Sequence, residues 1–282
     1  MKGKQIPASV MKGSKSMLVS IMILSMGIFS CRKSSSIPAP QTFVLVHGAW
    51  QAPYVWDSVK AQLIRAGQNV VVVQLPGHGT DTTNPGTITM NSYRDQIVSA
   101  INGVSGKVIL VGHSLSGFAI SAVEEQIPAR IDKLVFLACF IPSGQSPLNL
   151  SMTDLQTHVK PPALIEEPDG LPVLDFVRDS VPPIFCQDAS DAIKAEVVAN
   201  FRPDPIIPFT DTVVVTAANF GKADKYYIHT LQDHVIGINL QYQMVQTAGI
   251  TKVYSLNTSH SPFLSEPDSV TATLLNIAGI HQ

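Results

Sequence analysis

The sequence has little charge, few cysteines and no apolar run long enough for a membrane-spanning helix. Charged residues make up 14% of its 282 positions, and its three cysteines are Cys31, Cys139 and Cys186. It contains neither a CxxC pair nor an HxxxH pair, spacings that are typical of metal sites. The apolar run Met17–Phe29 has 13 residues, whereas a membrane-spanning helix needs about 20. We therefore expect no metal centre, and we do not expect this run to cross a membrane as a helix.

The first 30 residues have the pattern of an export signal. Four lysines, at positions 2, 4, 12 and 15, precede the apolar run, and a basic segment followed by a short apolar one is typical of a secretory signal. The run ends in "IFSC", which resembles the lipobox of bacterial lipoproteins. Cys31 is then the lipidated first residue of an envelope lipoprotein, and residues 31–41 form a flexible tether. An ordinary cleaved signal, an uncleaved anchor and a start at Met11 are the alternatives.

The charge balance disfavours a nucleic-acid partner. The leader carries four of the 19 basic residues and no acidic ones, so the rest of the chain has 15 basic and 21 acidic residues. A net charge of −6 without a basic stripe does not suit a phosphate backbone. The expected partners are a small-molecule substrate and, through Cys31, a membrane.

Apolar, β-prone segments alternate with amphipathic segments along the chain. This alternation predicts an α/β fold, with a mainly parallel, doubly wound sheet. The predicted strands are 42–46, 69–79 with its turn, 107–112, 133–140, 225–231 and 251–256. The predicted helices are 55–66, 90–104, 115–127, 189–200, 238–247 and 269–277.

Prolines interrupt this alternation in the middle of the chain. Eleven of the 20 prolines lie between Pro142 and Pro208, and proline is excluded from central strands and from long helices. We therefore interpret residues 142–224 as a lid inserted into a single domain of residues 42–282. Its apolar residues indicate a hydrophobic substrate pocket, and some of them also pack the lid onto the sheet: Leu164, Ile165, Leu171, Val173, Leu174 and Phe176.

The stretch "VGHSLSGF" lies between a predicted strand and a predicted helix, the context of a nucleophile elbow. The elbow motif G-x-S-x-G needs small residues two positions before and two after the serine, because strand and helix nearly touch there. Ser114 meets this requirement with Gly112 and Ser116, whereas Ser116 would place Phe118 at the second position. Ser114 is therefore the predicted nucleophile. A serine that only caps the following helix is the alternative.

A serine nucleophile needs a base that is oriented by an acid. In hydrolases of this fold the order along the chain is Ser, acid, His, with each residue just past a strand. Asp233 and His260 occupy those places, so they are the predicted acid and base. The oxyanion needs two N–H donors, and the expected ones belong to Ala49, after the first strand, and to Leu115. Whether Cys139 and Cys186 form a disulfide stays open.

At this point a family resemblance becomes visible. The segments "FVLVHGAW", "VVVVQLPGHGTD", "VILVGHSLSG", "LVFLACFIP", "LQDHVIG" and "SHSPFLSEP" resemble the plant methylesterase and hydroxynitrile lyase branch of the α/β-hydrolase superfamily, and its bacterial esterase relatives. The resemblance covers residues 42–280. It implies the same triad and the same two oxyanion donors, with no metal and no organic cofactor.

Two positions favour ester hydrolysis over the lyase reaction. The lyases of this branch have Thr after the first-loop histidine and Lys after the catalytic histidine, whereas this chain has Gly48 and Ser261. Without that lysine no cation stabilises cyanide. An aspartate nucleophile, as in haloalkane dehalogenases, is excluded by Ser114. We expect a serine hydrolase of small hydrophobic esters. The alternatives are a ligand-binding protein with weak turnover and, less favoured, a lyase.

Overall fold

The computed structural model describes residues 1–5, 39–156, 164–166 and 172–281. Most of the predicted signal, Cys31 and most of the tether lie outside these residues, so they stay predictions. Residues 38–282 form one compact unit. In the ranges given above, no helix combines the length and the apolar character of a membrane span.

The described residues form nine strands. They are β1 (Thr42–Val46), β2 (Asn69–Val73), β3 (Val108–His113), β4 (Ile131–Leu137), β5 (Leu164–Glu166), β6 (Pro172–Leu174), β7 (Asp204–Pro205), β8 (Lys225–Thr230) and β9 (Lys252–Leu256). Six of them form a parallel sheet in the order β2-β1-β3-β4-β8-β9. The central strand β3 is buried along its whole length, which explains its run of four apolar residues, 108–111.

The α-helices in the same ranges fill the connections between these strands. They are α1 (Asp57–Arg65), α2 (Met90–Asn102), α3 (Ser116–Gln126), α4 (Pro147–Met152), α5 (Val181–Phe185), α6 (Asp191–Asn200), α7 (Ile207–Thr210), α8 (Ile238–Thr247), α9 (Pro262–Ser265) and α10 (Pro267–Ile277).

Both faces of the sheet are covered by helices. Phe43 and Leu45 pack in one apolar cluster with residues of α1 and α10. Val44 and Val46 belong to a second cluster, with residues of α2, α3 and α8. Successive residues of a strand point to opposite faces, so each face of β1 packs against its own helical layer. The predicted α/β-hydrolase fold, with its doubly wound parallel sheet, is confirmed.

The chain between β4 and β8 forms what we call the cap. Its described part contains α4 to α7 and a small antiparallel sheet in the order β5-β6-β7. Three of these helices, α4, α5 and α7, have six residues or fewer, as the proline content predicts, and α6 is the predicted helix near residues 189–200. Both Cys139, two residues after β4, and Cys186 lie in this segment, and both are buried free thiols.

Candidate active site

Ser114 lies at the carboxyl end of β3, in a sharp turn into α3. Its φ angle is +56°, in the left-handed region that residues other than glycine seldom adopt. Three backbone hydrogen bonds hold this turn: Ser114 N–H donates to Leu137 O at 3.2 Å, and Ser114 O accepts from Gly117 N at 3.1 Å and Phe140 N at 3.2 Å. A strained serine on a strand-to-helix turn is the arrangement of a nucleophile elbow.

The packing of the elbow explains why this chain has Ser116 where the motif G-x-S-x-G has its second glycine, and glycine only at the next position, Gly117. A Cβ atom on Gly112 would lie 2.8 Å from Ile120 Cδ1, so a small residue is needed there. On the helix side, a Cβ atom on Gly117 would lie only 2.1 Å from Phe140 O. A side chain is therefore excluded at Gly117, whereas Ser116 has room for one.

His260 and Asp233 form a buried pair. His260 lies after β9 and Asp233 after β8, and His260 Nδ1 is 2.8 Å from Asp233 Oδ2. Since a carboxylate can only accept, Nδ1 carries the proton, and Nε2 of the neutral ring is free to take one. Within the described ranges, Nε2 is buried without a hydrogen-bond partner. This is the state that a general base requires.

Four further donors fix the Asp233 carboxylate. Oδ2 accepts from Thr230 Oγ1 at 2.7 Å and from Gln241 Nε2 at 3.2 Å. Oδ1 accepts from the backbone N–H groups of Val235 at 2.7 Å and Ile236 at 2.9 Å. Sequence reasoning missed Thr230 and Gln241. Thr230 gave a signal as a polar residue at the end of a buried strand, whereas Gln241 gave none.

A hydrogen bond from His113 joins the elbow to the loop after β9, which carries the predicted base His260. Its Nε2 lies 2.9 Å from His260 O, and the two rings are 4.6 Å apart. A carbonyl oxygen only accepts, so Nε2 of His113 carries the proton. Burial and the neighbouring His260 hold the pKa of His113 well below its usual value, so the ring stays neutral. The structure thus brings Ser114, one residue further along, to the sheet edge that carries His260 and Asp233.

Both predicted oxyanion donors lie beside the elbow. A Cβ atom on Gly48 would lie 2.8 Å from Ser114 Cβ, so the loop after β1 passes directly against the serine. Ala49 and Leu115 are buried, and over the described ranges their backbone N–H groups have no hydrogen-bond partner. Two unpaired N–H groups next to a nucleophile are suited to bind an oxyanion.

An aromatic cluster covers this loop. The ring of Trp50 contacts four phenylalanines of the cap, with centroid distances between 5.0 and 6.2 Å: Phe176, Phe185, Phe201 and Phe209. Phe185 also lies 5.8 Å from the His260 ring. Of the apolar cap residues named from the sequence, Val173, Leu174 and Phe176 are buried, Leu171 lies outside the described residues, and Leu164 and Ile165 belong to β5.

Two more buried histidines support the loop after β1: His47, its first residue, and His78, whose ring lies 4.9 Å from that of His47. His47 Nδ1 lies 2.8 Å from Gly48 O, and its Nε2 accepts the Leu75 N–H at 3.2 Å. Burial and the nearby charge of His78 lower the pKa of His47 to about 3, which suits a structural role. In the part of the chain that the structure describes, no cluster of His, Cys, Asp or Glu could hold a metal ion.

Comparison with known proteins gives one family. A sequence model described as "Alpha/beta hydrolase family" matches residues 43–273. "Putative methylesterase 14, chloroplastic" from Arabidopsis thaliana is 29% identical over 250 residues, 84% of this chain and 72% of that protein. "Putative methylesterase 11, chloroplastic" from the same plant is 32% identical over 253 residues, 84% of this chain, which spans 64% of that protein's length.

A solved structure has the same fold. The crystal structure of polyneuridine aldehyde esterase superimposes with a TM-score of 0.73 at 22% identity, over 85% of this chain and 99% of that one.

Proposed function

The chain belongs to the alpha/beta hydrolase family, as a carboxylic-ester hydrolase of its methylesterase branch, and we propose that Ser114, His260 and Asp233 carry out the reaction on small hydrophobic esters. The observation that carries this proposal is the buried contact of 2.8 Å between His260 Nδ1 and Asp233 Oδ2, which leaves Nε2 free to act as the base for a serine held on the same sheet edge.

The proposed reaction has two halves. Ser114 Oγ attacks the acyl carbon while its proton passes to His260 Nε2, and the oxyanion is bound by the N–H groups of Ala49 and Leu115. His260 returns the proton to the leaving alcohol as the ester C–O bond breaks. Water then gives a proton to the same nitrogen and attacks the acyl carbon. As the bond between that carbon and Ser114 Oγ breaks, His260 Nε2 returns the proton to Ser114 Oγ, the acid leaves and the enzyme is regenerated. Asp233 orients the imidazole and stabilises its charged form throughout.

Hydrolysis of p-nitrophenyl acetate and butyrate tests this proposal. Wild type should turn over both esters, and Ser114→Ala should lower kcat by at least about 10³-fold. A fluorophosphonate probe should label Ser114. Ser116→Ala is the matched control, because it removes the neighbouring hydroxyl and should keep kcat within about tenfold of wild type, with the probe still on Ser114. Absence of turnover together with absence of labelling would overturn the proposed function, and labelling of Ser116 would overturn the elbow assignment.

The surroundings of the triad support hydrolysis over the lyase reaction. Ser261 Oγ accepts a hydrogen bond from Gln51 Nε2 at 2.8 Å, so an uncharged hydroxyl stands where the lyases have lysine. Gly48 has no room for a β-carbon beside His113 and Ser114, so the threonine of the lyases would not fit on this backbone. We therefore propose no cyanide chemistry.

The substrate is the finer part of the proposal. Phe185 of the cap lies 5.8 Å from the His260 ring and 5.7 Å from the Trp50 ring, and apolar and aromatic walls favour a hydrophobic acyl or alcohol group. The value of kcat/KM for a panel of p-nitrophenyl esters, from acetate to decanoate together with phenylacetate and benzoate, measures this preference. It should be higher for at least one of the larger acyl groups than for acetate. A rate that falls steadily from acetate through every larger acyl group would contradict it.

We also propose, from the sequence alone, that Cys31 is lipidated and holds the protein at the bacterial envelope. Fractionation of cells tests this: Cys31→Ala should move the protein from the membrane fraction to the soluble one, with Cys186→Ala as the control. Unchanged fractionation of Cys31→Ala would refute lipidation at this position.

A further inference from the structure

A buried carboxylate joins the cap to the core beside the elbow. Asp204 belongs to β7 of the cap and is completely buried. Its Oδ2 lies 2.8 Å from His78 Nε2 and accepts the backbone N–H of Trp50 at 2.5 Å. The next cap residue, Pro205, packs 3.4 Å from the position of a β-carbon on Gly77. The cap therefore rests directly on the loop after β2 and reaches through Asp204 to the loop after β1.

The contacts of His78 define its charge. Nε2 faces the Asp204 carboxylate, and Nδ1 lies 2.9 Å from Pro76 O, which can only accept. With acceptors on both nitrogens the ring is an imidazolium, and the pair is ionic. Burial by itself would lower the pKa of His78, but the charge and hydrogen bond of Asp204 outweigh this effect and raise it.

Three other titratable or charged groups face this pair. The His47 ring lies 4.9 Å and the Tyr93 ring 5.6 Å from the His78 ring. His47 stays neutral because of burial and the charge on His78. Burial and the Asp204 charge raise the pKa of Tyr93 well above its usual value, so Tyr93 is neutral too. The Arg202 charge lowers the pKa of His78, but this effect is smaller than that of Asp204.

The residue that Asp204 holds is in a strained conformation. Trp50 has a φ angle of +59°, and an aromatic residue is seldom found there. Cap groups hold both of its N–H donors, since Asp204 accepts the backbone N–H and Leu174 O accepts the indole N–H at 2.8 Å. Without these contacts the Trp50 backbone would relax. The Ala49–Trp50 peptide, whose N–H Asp204 holds, would then turn, and through Ala49 it would displace the adjoining Gly48–Ala49 peptide, which carries the Ala49 N–H.

We propose that Asp204 and His78 are positioning residues whose ion pair holds the Trp50 backbone, and with it the Ala49 N–H, in the geometry that binds the oxyanion. Both oxyanion donors are then in place only while the cap packs against the loops after β1 and β2. The proposal rests on the proposed function, because it assigns the pair a role in that reaction.

Kinetics of cap variants on p-nitrophenyl acetate test this proposal. Asp204→Ala should lower kcat by about 10²-fold, the scale for loss of one oxyanion donor, with KM changed less than about threefold. Asp204→Asn and His78→Gln should lose about tenfold in kcat, because the Trp50 N–H keeps an acceptor and only the ion pair is lost. They also test the proposal if Asp204→Ala does not fold.

Asp211 provides the matched control. It is also a cap carboxylate that accepts a core N–H, that of Met90 at 2.8 Å, but it does not contact the loop after β1. Asp211→Ala should stay within about threefold of wild-type kcat. An equal loss in Asp204→Ala and Asp211→Ala would mean general loosening of the cap and would overturn the proposal, as would a wild-type kcat in Asp204→Ala.

Amide chemical shifts give a measurement that does not depend on activity. In ¹H–¹⁵N spectra of Asp204→Asn, the signals of both Trp50 and Ala49 should move, whereas Asp211→Ala should leave both in place. If the Trp50 signal moves and that of Ala49 does not, the pair does not position the donor. If instead Ser114→Ala is as active as wild type, the proposed function fails, and the amide shifts alone decide the positioning role.

Discussion

The hydroxyl of Ser116 lies 2.8 Å from both the backbone nitrogen and the backbone oxygen of His113. It accepts the N–H and donates either to that oxygen or to Val46 O at 3.3 Å. The residue that departs from the G-x-S-x-G pattern thus ties together the two ends of the elbow. Its hydroxyl is buried and engaged in hydrogen bonds within this turn, which leaves the role of nucleophile to Ser114.

Removal of this hydroxyl should weaken the fold more than the reaction. Ser116→Ala leaves the buried His113 N–H without its acceptor, at a cost of about 1–3 kcal/mol, so Tm should fall by about 3–8 °C. The kcat for p-nitrophenyl acetate should change less than about tenfold. Calorimetry and steady-state rates measure the two effects.

Ser121→Ala is the control for this substitution. Ser121 is a buried serine of the same helix, and its hydroxyl donates to Gly117 O within the helix. Because no N–H group loses an acceptor, its Tm should fall less than that of Ser116→Ala. If Ser116→Ala instead abolishes activity at an unchanged Tm, the hydroxyl takes part in the reaction.

Loss of the charge on Asp233 should lower kcat by about 10³- to 10⁴-fold, because the acid of a triad orients the histidine and stabilises its charged form. Asp233→Asn keeps the shape of the side chain, but its amide can present an N–H to His260 Nδ1 and place the ring proton on Nε2. Asp188→Asn is the control, because Asp188 supports the same loop through the Ser259 N–H at 2.9 Å without touching His260. Equal kcat values in these two variants would contradict the assignment of Asp233.

The framework of the site follows from local sequence signals. The carboxyl ends of parallel strands share one edge of a sheet, so β3, β8 and β9 bring Ser114, Asp233 and His260 to the same edge. Strand segments with apolar residues on both faces are recognisable without tertiary information. This is why the order of elements and the candidate triad could be read before the structure.

The supports of the site depend on packing between distant segments. Gln241 reaches Asp233 only because of how α8 lies against β8, which no periodicity fixes. His78 and Asp204 are 126 positions apart, and the loop and the irregular cap that carry them have no repeating pattern. The positive φ of Trp50 is likewise a tertiary effect, because tryptophan has no local preference for that conformation.

Glu124 should make the fold less stable as the pH rises. Burial raises its pKa to about 7, despite the opposing charge of Lys225. Between pH 4.5 and 7 the unfolded carboxyl loses its proton while the folded one keeps it, so stability falls across this window. Glu124→Gln removes this loss and should stabilise the protein by about 1 kcal/mol at pH 8, after allowance for solvent screening, and by little at pH 5.

The neighbouring carboxyl should behave in the opposite way. Burial would raise the pKa of Glu125, but the N–H groups of Thr216 and Phe220 outweigh it and lower the pKa. Glu125 therefore contributes stability above pH 4.5 that is lost as the pH falls. Glu125→Gln should destabilise the protein at pH 7 and less so at pH 4. Urea unfolding at several pH values measures both, and the same pH trend in the two variants would contradict these assignments.

The charge on His78 should persist above the pH at which a free histidine loses its proton. Because its pKa is raised above 6.5, the ion pair with Asp204 gives its full stability below pH 6.5 and loses it as the pH rises through the folded pKa. The Tm difference between wild type and His78→Gln should therefore be largest near pH 6 and shrink at higher pH.

Ring ¹⁵N shifts, assigned by the signals that vanish in His78→Gln, should show imidazolium at pH 7 in wild type. In Asp204→Asn the ring loses the carboxylate that keeps it charged, so it should be neutral at the same pH. A wild-type ring that titrates at or below pH 6.5 would contradict the ion pair, and with it the coupling of the cap to the oxyanion donor.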